Sequence, residues 1–310
     1  MNKLIRYINQ NWKKIGLVIV IIAFAIILIQ LLNYIAKQPK KEDNQSEKVD
    51  SIYNPSETII KGSDVGEKQE QVNEDIINKF VSYCNAKDPN AAYNLLSQNC
   101  KQNLYPSLDS FINTYYNIVF KEQMMISMQS WINSNSNYTY KVRILKDPMA
   151  TGNYDDTGVY EDYMTIVKEN DEQKLNINNY IKRDEIKKEA ENNGIKIKVN
   201  SIDQYKDYQI YNFTVENKTN KNILVNTNTR TNSVYLVDAN NNMWSSQMYE
   251  ISVNQLEVIA GGSKNISIKF GKNYNPDLGI TGVVFSDIVP DSTQYFANNQ
   301  YQDRLEVKIQ

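Results

Sequence analysis

The stretch IKIKVNSID (195–203), followed after a short polar break by YQIYNFTVEN (208–217), decides how the C-terminal part of this chain folds. Apolar residues fall on every second position. Ile195, Ile197 and Val199 alternate with Lys196, Lys198 and Asn200, and Tyr211, Phe213 and Val215 alternate with Asn212, Thr214 and Glu216. A period of two puts one side of each segment into a core and leaves the other in water, which is the pattern of a half-buried strand. The same character continues through NILVNTN (222–228), SVYLVD (233–238), LEVIA (256–260), KNISIKF (264–270), TGVVFSDIV (281–289) and RLEVKI (304–309). Turn-forming residues separate these runs, including the segment from Asp238 to Asn242, Gly261-Gly262 and Asn275-Pro276. Short strands at regular spacing predict an all-β sandwich over 194–310.

Working back towards the N-terminus, the charged run IKRDEIKKEAENNG (181–194) separates this series from an earlier one and reads as a short helix closing a first domain. That domain is expected over 70–185. Val72, Ile76, Ile77, Phe80, Val81 and Cys84 form one stripe of a helix from Asn73 to Ala86, ended by Asp88-Pro89. A second helix is expected from Ala91 to about Gln98, and a third from Leu108 to Val119 with Ser107 as its cap. The period then changes. Met124–Ile132, Tyr138–Leu145, Tyr160–Lys168 and Lys174–Tyr180 are rich in β-branched and aromatic residues and read as four antiparallel strands.

The segment Ile15–Ile29, IGLVIVIIAFAIILI, contains no polar side chain, and QLLNYIA extends it to Ala36. As a helix it is about 33 Å long, enough to span a bilayer. No small-x-small cleavage site and no lipobox cysteine follows, so an uncleaved anchor over 15–36 is expected in place of a signal peptide. Basic residues balance across it, with Lys3, Arg6, Lys13 and Lys14 before and Lys37, Lys40, Lys41 and Lys48 after. Because long C-terminal regions translocate largely regardless of charge, the expected topology is a cytoplasmic tail (1–14) and an extracellular C-terminal part. Residues 37–69 are polar, charged and punctuated by Pro39, Pro55, Gly62 and Gly66, the composition of a linker.

Composition narrows the chemistry. Among 310 residues there are 34 basic and 36 acidic side chains, evenly spread, so no basic face for nucleic acid is expected. There is no histidine, which removes mechanisms built on Ser-His or Cys-His pairs and the commonest metal ligand. Cys84 and Cys100 are the only cysteines. An even pair in an exported chain suggests a disulfide, and two small buried apolar residues are the alternative. Two thiols without histidine are too few for zinc. Asp238, Asn240, Asn241 and Asn242 carry oxygen ligands but lack the spacing of a calcium loop, and a turn is expected there. Trp131, Trp244, Tyr235 and Tyr249 are candidates for a binding surface, with core packing as the simpler expectation.

The order FVSYCNAKDPNAAYNLLS (80–97) and then YPSLDSFINTYYN (105–117) resembles the nuclear-transport-factor-2-like α+β cone over residues 72–183. The strand series from 194 resembles the immunoglobulin-like modules of surface-anchored proteins, without a cysteine pair. Together with the abundance of Asn, Ile, Lys and Tyr, the arrangement is similar to uncharacterised membrane-anchored proteins of clostridia-like Gram-positive bacteria. The resemblance implies an interaction or scaffold protein, non-enzymatic and without cofactor, meeting an envelope protein partner. A second implication is an assembly component of a type IV secretion or conjugation-like system, which shares the tail, single span and external cone. A third is a small-molecule-binding or isomerase-like cone using a carboxylate and a tyrosine. Tyr93, Tyr115, Tyr116, Tyr140 and Tyr163, with Asp109, Glu161 and Asp162, supply those residue types, but no residue matches a catalytic position. That third reading requires a carboxylate buried inside the cone.

Overall fold

The computed structural model describes residues 67–134, 137–152, 159–225, 233–247, 253–276, 279–293 and 303–309. The expected tail, the expected membrane anchor and nearly all of the expected linker lie outside the described residues, as does Tyr249. Among the described residues no helix is long and apolar enough to cross a membrane. The described part belongs to one compact unit and is sheet-rich, with few helices.

Helix α1 (Glu67–Asn85) opens it and starts earlier than the periodicity suggests. Ile76, Ile77, Phe80, Val81 and Cys84 are buried as expected. Val72 is instead 48% exposed and Asn73 takes the inward position. Asn73 can do so because its amide is matched, receiving hydrogen bonds from Gln69 (2.8 Å) and Gln173 (3.1 Å) and donating to the Tyr140 hydroxyl (3.3 Å). Asp88 caps α2 (Pro89–Asn94) through the Ala91 amide at 2.9 Å. Helix α3 (Gln98–Leu104), capped by Ser97, occupies a stretch between the second and third expected helices to which the sequence assigned no element. The predicted third helix is present, capped by Ser107, as α4 (Leu108–Phe111), a π-helical turn (Ile112–Tyr116) and α5 (Asn117–Val119).

Four strands follow as β1 (Met124–Ser134), β2 (Asn137–Lys146), β3 (Tyr160–Glu169) and β4 (Glu172–Asn176), an antiparallel sheet in sequence order. The fourth, expected over Lys174–Tyr180, starts earlier and ends at Asn176, because Asn178 and Asn179 turn the chain and Tyr180 belongs to the next strand. Helical residues Phe80, Phe111 and Tyr115 share a core with Met128, Tyr140, Val142 and Met164 of this sheet. The outer edge of β4 is covered, because Leu175 exchanges backbone hydrogen bonds with Leu95 and Ser97.

The charged run read as a helix is a strand, β5 (Tyr180–Asn192). It pairs with β6 (Ile195–Tyr205) across Asn193-Gly194, whose φ values of +50° and +77° suit a tight hairpin turn. Its good helix formers, Lys and Glu, lose to ladder pairing, and Lys187, at φ +56°, sits in a bulge that breaks any helical run. β6, β7 (Gln209–Asn217) and β12 (Ser263–Phe270) complete a sheet of order β12-β7-β6-β5. The second sheet has the order β10-β9-β13-β14, built from β9 (Val234–Asp238), β10 (Met243–Ser245), β13 (Ile280–Ile288) and β14 (Asp303–Lys308). β8 (Ile223–Leu224) and β11 (Glu257–Val258) form a small ribbon beside them. Ile197, Val199, Phe213 and Val215 of the first sheet and Leu236, Val283, Phe285 and Val307 of the second share one core. The alternation quoted at the outset is thus the inward face of a two-sheet packing.

Candidate functional site

Of the five tyrosines and three carboxylates named from the sequence, the structure brings one pair together, Tyr115 and Asp162. Asp162, on β3 opposite Val142, is fully buried. Its Oδ2 accepts hydrogen bonds from the Tyr115 hydroxyl (2.8 Å) and the Asn178 amide (2.9 Å), and its Oδ1 from the Asn179 amide (2.9 Å). Asn178 and Asn179 turn the chain from β4 into β5 with φ of +59° and +63°, a left-handed pair that asparagine tolerates better than other side chains. Two successive amides in that conformation form a concavity for an anion, and Asp162 fills it. Tyr160 donates to Asn178 Oδ1 at 3.2 Å, and the rings of Tyr105 and Tyr160 stand edge-on to Tyr115 at 6.0 and 5.9 Å.

Burial pushes the Asp162 carboxyl above its ordinary range, while the two amides and the Tyr115 hydroxyl pull it back. Burial, reinforced by the Asp162 charge, holds the Tyr115 hydroxyl well above its ordinary value. Tyr105 is buried with its hydroxyl unpartnered among the described residues. Both Asp162 oxygens accept hydrogen bonds from the turn, and Oδ2 also from Tyr115, which ties the carboxylate to the β4–β5 connection. Two described grooves, of 280 and 500 Å³, are lined by residues of the two-sheet part and of its loops, away from Asp162.

The other candidates are dispersed. Asp109 is exposed, and Glu161 faces outward in an ion pair with Lys141 at 2.8 Å. Tyr93 donates to the Tyr105 carbonyl (2.9 Å), Tyr116 to the Cys84 carbonyl (3.4 Å), and Tyr140 meets Asn73. Tyr163 packs edge-on against Trp131 at 4.7 Å. Cys84 and Cys100 are both free and buried, the Cys100 thiol pushed up to about 12 and the Cys84 thiol higher by removal from water. The Asp238 carboxylate accepts from the amides of Asn240 (2.8 Å) and Asn242 (2.9 Å) and holds its own turn. Trp244 lies beneath the Lys272 ammonium, 5.7 Å from the ring centre, and Tyr235 is half-buried on β9. Among the described residues no cluster of three metal-binding side chains occurs.

A site that sequence reasoning missed joins the helical part to the two-sheet part. Asp203, on β6 and 6% exposed, receives both Nε and Nη2 of Arg183 at 2.8 Å. Asn103 of α3 donates to the same carboxylate at 2.8 Å and to the Tyr180 hydroxyl at 2.9 Å, and accepts from Arg183 Nη2 at 2.5 Å. Tyr180 (3.2 Å) and Asn212 of β7 (2.8 Å) complete the shell around Asp203. The paired carboxylate raises the affinity of the guanidinium for its proton. Beside this network, Trp131, Ile132, Ile181 and Tyr274 form an apolar contact between β1, β5 and the loop after β12. Arg183 and Asp203 lie twenty positions apart, a spacing without a motif, so only the β5–β6 register, which pairs them directly, reveals the contact.

No protein-family model matches the chain, and no curated protein matches it. The crystal structure of the yjhA protein from Bacillus subtilis aligns with 41% of this chain and 98% of its own, at 16% identity and a TM-score of 0.29. That of a conserved hypothetical protein from Bacillus anthracis aligns with 42% of this chain and 96% of its own, at 15% identity and a TM-score of 0.26. Likeness at this level carries no conclusion about function, and neither expected family is shown by it.

Proposed function

We propose that this chain is a membrane-tethered interaction protein without catalytic activity, its folded body held outside the cell by residues 15–36. In this reading the helix-bearing part is a nuclear-transport-factor-2-like cone and the two-sheet part an immunoglobulin-like sandwich, presented together to an envelope protein partner. The observation that carries the proposal is the joint around Asp203. A carboxylate with a two-pronged arginine, two asparagines and a tyrosine fixes α3 to β5, β6 and β7, which makes the two parts a single presenting surface. The commitment of Asp162 to backbone amides supports the non-catalytic half of the proposal. Element order supports the cone, since helical segments precede a four-stranded antiparallel sheet.

Crosslinking in intact native cells, then membrane extraction and mass spectrometry of captured proteins, tests the reading. Reproducible enrichment of envelope or wall-synthesis proteins is expected. Enrichment of secretion-channel subunits would replace the adaptor reading with the transport one, and recovery of the chain without any other protein would contradict both.

A further inference from the structure

We infer that β1 is a self-association edge, on which a second copy of this chain adds its own β1 antiparallel to continue the sheet across a two-fold axis. The strand Met124–Ser134, MMISMQSWINS, is the outer strand of its sheet and carries no charged residue. The other edges are managed. β4 is covered by the 95–97 segment, β5, β12 and β14 carry charged side chains along their length, and β10 has three residues. Exposed strand edges are ordinarily protected by charge or cover, so a long bare one is built to be paired.

The backbone defines where pairing starts and stops. Met124 turns its amide and carbonyl away from β2, because both are held by the Asn85 side chain, at 3.0 and 2.7 Å. Residues two apart share that direction, so Ile126, Met128 and Ser130 also point outward. Those three have no outward hydrogen bond among the described residues. Asn85 closes the run at one end and the bulge between Ser130 and Ile132 closes it at the other. The open window is symmetric about Met128. Set antiparallel against itself, Met128 faces Met128 of the other copy and Ile126 faces Ser130, which satisfies every outward group of the window. An uncharged strand meets its own copy without like charges opposed, which favours a second copy over a charged peptide.

In this register Ser127 of one copy lies opposite Gln129 of the other. On the same chain these two sit beside Arg143 and Lys141 of β2, so acidic replacements are compatible with the fold. Two full-length variants test the pairing by sedimentation in detergent micelles. S127E/Q129E opposes glutamates across the axis and is expected to weaken dimerisation about tenfold or more. S127E/Q129K opposes glutamate to lysine and is expected to stay dimeric. Mixing copies bearing Ser127→Cys with copies bearing Gln129→Cys should yield a crosslinked dimer under oxidation, and neither alone should do so comparably. A wild-type chain monomeric at all concentrations, double variants that dimerise equally, or no crosslink in the mixture would overturn the inference.

Discussion

Asp162 shows how a residue type associated with catalysis is turned to structure. Its oxygens face two left-handed amides and one phenol, and substituting asparagine would aim an NH2 at some of those donors. Asp162→Asn is therefore expected to cost about 2 kcal/mol of stability by urea unfolding, the usual order for a buried unmatched polar group. The residue types of this cluster were legible, but among five candidate tyrosines and three carboxylates nothing in the sequence singles out Tyr115 and Asp162. Their meeting was not legible, because it depends on Asn178-Asn179, whose positive φ values appear only once β4 turns into β5. The cysteines give a second prediction. Cys100 is held at about 12 in the fold against an ordinary 9.0, so its contribution is full below pH 9 and is lost as pH rises through 12. The stability difference between the wild type and Cys100→Ala should shrink above pH 9, by about 1.4 kcal/mol per pH unit, in urea titrations at stepped pH. The same protein, denatured without reductant, should show two titratable thiols, and none would reveal the disulfide.

Among elements, β5 is the one whose type differs from the expectation, a strand in place of a helix. Its lysines and glutamates have the local preference of a helix, and its outward face offers little apolar alternation. The Asn193-Gly194 doublet at its end is a strong hairpin signal and, given its full weight, identifies the preceding segment as a strand. The remaining sheet elements were readable wherever one face met a core, as in β6 and β7; β8 and β11 fall within the runs 222–228 and 256–260 read as strands, and the three-residue β10 was too short to show a period. β5 also carries Arg183. Arg183→Ala leaves Asp203 buried without its cation and is expected to cost about 3 kcal/mol. Asp203→Ala should be comparably damaging, and the double variant much less so than the sum, measured as a double-mutant cycle by thermal or urea unfolding.

For the molecule as a whole, composition and periodicity carry the sheet-rich character, while the joint between the parts is a tertiary property. Residues from the β5–β7 sheet, including Tyr205, belong to the core beneath the helices, so the parts should unfold together. The most direct measurement of the proposed tethered body is trypsin treatment of intact cells, with fragments identified by mass spectrometry. Cleavage at Lys40, Lys41, Lys48 or Lys61, with release of a resistant fragment extending to the C-terminus and retention of the N-terminal piece in the membrane, is the predicted result. A body untouched on intact cells and cut only after lysis, or a chain recovered in the aqueous fraction without membrane association, would contradict it.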